Sequence, residues 1–107
     1  MVDFRDRERA EEAKFALDEE TTFRVTARRN RLLGKWAAEK MNLTPEETEA
    51  YAKAVVQADF EEAGSEDVIR KVLGDLTAAG CDIDEAAVRA ALDEKSVEAR
   101  RQLMGES

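Results

Sequence analysis

The chain has 107 residues, of which 43% are hydrophobic and 39% charged, with one proline and no histidine. That bounds it to one domain with a modest core, too apolar for a fully disordered chain and rich in Ala, Glu, Arg and Leu, as helical proteins are. A net charge of −8 excludes general nucleic-acid binding, which needs an excess of Lys and Arg to neutralise phosphates.

The charge is unevenly spread. Residues 1–31 carry as many bases as acids, so the whole net charge falls on residues 32–107. A charge-mixed arm precedes an acidic body. The single cysteine, Cys81, cannot form an internal disulfide. The start lacks the apolar stretch of a secretory signal, and no run reaches the length of a membrane span. A soluble, cytoplasmic protein is expected.

Taken in order, residues 3–20 read as helix by propensity and ion pairing rather than by burial. Asp3–Arg7 is a favourable acid-then-base pair at i, i+4. Arg7–Glu11, Arg5–Glu8 and Glu11–Lys14 add others, each contributing roughly 0.2–0.5 kcal/mol at best. The large apolar residues are only Phe4, Phe15 and Leu17. Phe4 and Phe15 lie three turns apart on one face, with Glu8, Glu11 and Glu12 between them. Held by local terms alone, such a helix is marginal in water. The expectation is an arm, residues 1–20, that is mobile or marginally helical until something binds it.

Thr21-Thr22-Phe23-Arg24-Val25-Thr26 weakens helix propensity through its β-branched residues. Residues 3–41 therefore read equally as one long helix or as two with a break near Thr21–Thr22. From Ala27 to Lys40 the helix is firm, with Leu32, Leu33, Trp36, Ala37 and Met41 in a buried stripe. Thr44-Pro45-Glu46-Glu47 is a capping box with proline in the first turn. It opens a helix expected to run to about Glu62, burying Tyr51, Val55, Val56 and Phe60. Ala63-Gly64 should stop it, and Ser65 should cap a third helix carrying the stripe Val68, Ile69, Val72, Leu73 and Leu76. Gly80 should close that helix. A fourth begins near Asp84, with Ile83 and Val88 as a hydrophobic staple, and runs through Leu92 and Ala99 to Leu103. Short loops between four helices predict an all-α, antiparallel four-helix bundle over residues 21–107.

No set of residues assembles into an active site. Lack of histidine removes the commonest general base and excludes a histidine-driven pH switch. Asp82-Ile83-Asp84-Glu85 lacks the glycine and spacing of a calcium loop, so capping is its expected role and no metal site is expected. Glu61, Glu62, Glu66 and Asp67 read first as a solvated rim around a turn and second as a docking surface. Gly34 and Gly74, isolated within helices, are candidate points of close helix approach. The concentrated positive patch is Arg28-Arg29-Asn30-Arg31, with Arg24 one turn earlier and no acid between Glu20 and Glu39. It reads either as salt bridges to the acidic body or as an anion or nucleotide-phosphate site, with Trp36 or Tyr51 available to stack on a base.

Phe4-Arg5-Asp6-Arg7-Glu8-Arg9-Ala10 followed by Glu12-Ala13-Lys14-Phe15-Ala16 resembles the opening of the bacterial zeta-subunit family of F-type ATP synthase inhibitors. The likeness continues through Ala27-Arg28-Arg29-Asn30-Arg31-Leu32-Leu33-Gly34 and Trp36-Ala37-Ala38. It returns at Asp59-Phe60-Glu61, Glu66-Asp67-Val68 and Arg70-Lys71. The resemblance implies a non-enzymatic regulator whose arm inserts at a catalytic alpha/beta interface of the ATPase head and blocks rotation. It places that role on Phe4, Arg7, Glu8, Arg9, Ala10, Glu12, Ala13, Lys14 and Phe15. Partners would be the alpha, beta and gamma subunits of the head, at the cytoplasmic periphery of the membrane-bound enzyme. It also implies ADP or ATP as a regulatory ligand of the bundle, with no catalytic cofactor. Charge assigns that ligand to Arg28, Arg29 and Arg31, with Trp36 placed to stack on the base. The rival reading is an adenine-nucleotide sensor without strong ATPase inhibition.

Overall fold

A computed structural model describes the backbone of residues 4–59 and 65–104 and the side chains of residues 21–59 and 65–103. Four helices account for it: α1 (Phe4–Lys40), α2 (Pro45–Ala58), α3 (Glu66–Ala78) and α4 (Glu85–Met104), with no strand among the described residues. The all-α four-helix expectation holds.

The open question about Thr21–Thr22 is answered: α1 runs through it without a break for 37 residues. The β-branched residues there each weaken a helix by only a few tenths of a kcal/mol. Just beyond them the buried face begins, at Val25, and continues through Asn30, Leu33, Ala37 and Ala38. At 1.5 Å per residue α1 is about 55 Å long, against about 30 Å for α4, the next longest at 20 residues. The long dimension of the molecule, 64 Å against 29 and 21 Å, follows from α1.

Side-chain pairs fix the directions. Gly34 lies against Ala52, and Arg29 reaches Asp59, so α2 runs back along α1. The Cys81 thiol donates to the Lys40 carbonyl (3.4 Å) just before α4, while Arg28 meets Gln102 near its end. Thus α4 also runs antiparallel to α1. The core is Leu33 and Ala37 from α1, Val55 from α2, Val68, Ile69, Val72 and Leu76 from α3, and Val88, Ala91 and Leu92 from α4. Trp36, Met41, Tyr51, Leu73, Cys81 and Ile83 are half-buried around it. Tyr51 and Val56, expected inside, are therefore only partly covered. Tyr51 instead spends its hydroxyl on Asp75 (2.8 Å), with Lys71 bonding the same carboxylate (3.1 Å). Burial and that bond push its phenol well above the ordinary value. The group braces α2 against α3.

The helix ends follow their sequences in most places. Thr44 accepts from the Glu47 N–H (3.1 Å), and Glu47 accepts from the Thr44 N–H (2.8 Å), completing the capping box. Asp84 accepts from the Ala87 N–H (2.9 Å), and Val88 is fully buried with Ile83 half-buried beside the core, as a staple requires. Two Schellman turns close α1 and α3. Asn42 (φ 58°) and Gly80 (φ 81°) take the left-handed position, and the next N–H in each case reaches back to Ala38 and Leu76.

Three expectations are corrected. α2 ends at Ala58 with Asp59 as its C-cap, short of Glu62, because the Asp59 N–H turns back to Val56 (3.3 Å) rather than continuing the helical ladder. Ser65 has helical backbone angles and makes no side-chain cap bond; only its carbonyl serves the helix, accepting from Ile69 (3.0 Å). Gly74 is exposed, and a Cβ added there would meet nothing within 4 Å, so it marks no close approach. Gly34 does. Phe60, Glu61, Glu62, Ala63 and Gly64 lie outside the described residues.

Candidate functional site

The arginine block separates because successive helical residues point about 100° apart. Arg29 turns inward beside Asn30. Its Nε donates to the side-chain Oδ1 of Asn30 (3.0 Å), and its guanidinium lies 3.9 Å from Asp59, with both charged side chains about five-sixths buried. Burial draws the Arg29 pKa down, and Asp59 opposes that. Asn30 is fully buried; its side-chain N–H₂ and one Asp59 oxygen have no hydrogen-bond partner. Arg29 is therefore committed to the seam between α1 and α2. The salt-bridge reading describes it.

Arg28 and Arg31 face the other way, toward solvent and an open cleft of about 890 Å³ between α1, α2 and α4. Among the described residues, Phe23, Ala27, Ala50, Val56 and Leu103 supply its apolar surface, and Arg24, Arg28, Arg31 and Lys53 its positive charge, against one carboxylate, Glu49. Phe23 and Leu103 are among the large apolar side chains left exposed, at 59% and 38%. Glu49 accepts from Arg31 (2.7 Å) and lies 3.6 Å from Lys35. The Arg31 bond and charge hold its carboxyl below the usual range, and Lys35 adds to that. Arg28 donates to Gln102 (3.3 Å). The volume is that of a small-molecule site. An apolar floor under four cations and one acid suits an amphipathic anion.

Of the four nucleotide candidates, the structure brings Arg28 and Arg31 together and leaves Arg29 and Trp36 apart. Trp36 packs on the core with the Lys40 ammonium 5.9 Å from its ring. Sequence reading missed Phe23, Lys53 and Leu103. Phe23 carried a signal, since it sits at i, i+4 and i+8 with Ala27 and Arg31. Lys53 and Leu103 carried none, being brought to the cleft only by the packing of α2 and α4 on α1. Elsewhere, Glu66 and Asp67 each pair with a neighbouring arginine. Arg89 holds Glu66 with two bonds (2.9 and 3.1 Å), and Asp67 pairs with Arg70 (3.3 Å). Among the described residues no group of acidic or cysteine side chains could hold a metal ion, and no helix is long and apolar enough to cross a membrane.

The second feature is α1 itself. Residues 4–20 continue the same helix N-terminal to every described buried side chain. The inhibitory-arm candidates Phe4, Arg7, Glu8, Arg9, Ala10, Glu12, Ala13, Lys14 and Phe15 all lie on this extension; their side chains are outside the described residues. A sequence profile described as ATPase inhibitor subunit zeta matches residues 1–102. The chain belongs to the zeta family of ATPase inhibitor subunits. A zeta-family chain is a regulator by that description, and the match spans both the extension and the bundle. A structure solved in solution by NMR is similar to this zeta-family chain at 50% identity. It superposes with a TM-score of 0.70 over 79% of this chain and 96% of its own. No curated protein sequence matches the chain.

Proposed function

We propose that the chain inhibits ATP hydrolysis by F-type ATP synthase at the cytoplasmic side of the membrane. Residues 1–20 act as the inhibitory arm, entering a catalytic interface between alpha and beta subunits of the head and blocking rotation. The bundle, residues 21–107, holds the arm's root. The observation that supports this most is the continuity of α1: the extension has no loop at its base and grows from the helix that packs on both α2 and α4. A rod clamped at one end can transmit load, whereas a tethered peptide cannot. Phe4 and Phe15 would anchor it in apolar pockets, and the alternating Arg and Glu residues would set its register. The measurement is ATP hydrolysis by the cognate head titrated with the chain. Phe15→Ala should raise the half-inhibiting concentration about 30-fold, the loss of a buried anchor of about 2 kcal/mol. An unchanged titration would remove Phe15 from the interface.

The cleft favours a second function of the bundle, binding ADP or ATP. Phosphates would lie on Arg28, Arg31 and Lys53, and the base against Phe23 or Leu103. This revises the charge-based assignment by leaving out Arg29 and Trp36. Each charge-assisted bond contributes about 1.5–3 kcal/mol. Lys53→Ala should therefore weaken ADP binding at least about tenfold in an amide-shift titration. Glu49→Gln should tighten it, because Glu49 competes with the phosphates for Arg31. An adenine-nucleotide sensor without strong inhibition would keep this ADP response and fail the hydrolysis assay. Equal ADP affinity in the Lys53→Ala and parent chains would count against the cleft.

A further inference from the structure

We propose that the seam between α1 and α2 binds one internal water molecule, held by Arg29 and Asn30 on α1 and by Asp59 at the end of α2. The site stands apart from the cleft, since none of these three residues lines that opening. Among the described residues Asn30 is the one polar side chain classed with the core, in a stripe otherwise made of Val25, Leu33 and Ala37. Its Oδ1 accepts from Arg29 Nε (3.0 Å), which fixes the amide's orientation and points Nδ2 away from that bond. Nδ2 is buried without a partner, and so is Asp59 Oδ1. They are the two such side-chain atoms among the described residues. One is a donor, the other an acceptor, and Arg29 reaches both side chains. Its Nη2 stops 3.9 Å from Asp59 Oδ2, beyond hydrogen-bond length. A polar separation of that size is where a bridging water belongs.

Water matches what these groups need. Its two lone pairs can accept from the Asn30 Nδ2–H and an Arg29 Nη–H, and one O–H can donate to Asp59 Oδ1. About three bonds is the usual complement of a buried water. An ion fits less well. The charges of Arg29 and Asp59 already cancel, so neither sign of ion gains a net attraction. An anion would face the Asp59 carboxylate, and a cation would face the guanidinium and the Asn30 N–H₂. The position gives the water a structural role. Asp59 is the C-cap of α2, and the Arg29 charge lies at the negative end of that helix's dipole. A bridge there joins α1 to α2 beyond Val55, the last buried residue of α2. It also satisfies groups whose burial unpaired is costly.

The test uses the isotope-labelled full chain and NOE spectroscopy between water and protein. The side-chain N–H₂ protons of Asn30 should show dipolar cross-peaks to water with the sign of a long-lived molecule. The rotating-frame spectrum separates these from chemical exchange. Relaxation dispersion of the water oxygen should count one more long-lived water in the full chain than in Asn30→Leu, which removes the donor and fills its space with methyls. Asp59→Ala removes the acceptor and opens the end of the seam, so the Asn30 cross-peaks should vanish. The measurement on the full chain decides even if a variant fails to fold. No water cross-peak at Asn30 would overturn the site, as would a through-bond coupling from the Asn30 N–H₂ directly to the Asp59 carboxylate. An unchanged water count in folded Asn30→Leu would overturn it too. Cross-peaks that persist in Asp59→Ala would overturn the bridge, since Asp59 would then not be one of the water's partners.

Discussion

Replacing Gly34 with alanine should destabilise the protein, although alanine is the better helix former by about 1 kcal/mol. Packing decides the sign. A Cβ at Gly34 would sit 2.7 Å from the Ala52 Cα, a backbone atom that cannot rotate aside, and 3.3 Å from a Val55 methyl. Relieving that contact means prising α2 off α1 where Gly34 meets Ala52. Overpacking of this kind costs about 1–3 kcal/mol, and valine at the same position should cost more. The matching control is Gly74→Ala. That position is exposed, with open space where the Cβ would go, so the propensity term acts alone and should stabilise by about 0.5–1 kcal/mol. Urea unfolding of the two variants should move in opposite directions. Equal shifts of one sign would mean that α1 and α2 are not in contact at Gly34.

Ala13→Pro should abolish inhibition in the working range while leaving the bundle's unfolding transition unchanged. Proline inside a helix removes one backbone bond and clashes with the preceding turn, costing about 3 kcal/mol. Ala13 lies on the extension, N-terminal to every described buried residue, so the bundle should not register that cost. If the arm must be helical to bind, the half-inhibiting concentration should rise at least about 100-fold. Ala13→Gly supplies the graded companion, since a cost of about 1 kcal/mol corresponds to roughly fivefold. The ratio between the two variants reports helix formation rather than loss of the alanine methyl. Similar small effects from both would point to an arm that binds in extended form.

How much of this the sequence revealed depends on how far apart the cooperating residues are. The capping box at Thr44 and Glu47, the Asp84 start of α4 and the Gly80 stop are short-range chemistry, and each holds. Ser65 fails as a side-chain cap because its backbone is already helical, a feature set by the preceding turn rather than by serine itself. Gly34 and Gly74 look alike in sequence, and only the position of α2 tells them apart. Arg28, Arg29 and Arg31 also look alike, yet one helical step sends Arg29 into the seam with Asp59 and leaves the others at the cleft. The cleft's other half, Lys53 and Leu103, lies 25 or more residues away from Arg28 in sequence and becomes a partner only through packing. The arm was the reverse case. Its lack of an apolar stripe was plain from residue order, and the uninterrupted α1 explains how a helix without a core of its own is rooted in one that has it.

The central claim is that inhibition resides in the arm and that the bundle only holds it. The most direct measurement is ATP hydrolysis by the cognate F-type head, titrated with the full chain and with a chain lacking residues 1–19. The full chain should suppress hydrolysis. The truncated chain should fold, unfold cooperatively in urea, and leave hydrolysis untouched at concentrations where the full chain is saturating. A truncated chain that inhibits as well as the full one would contradict the account and move the inhibitory surface to the bundle.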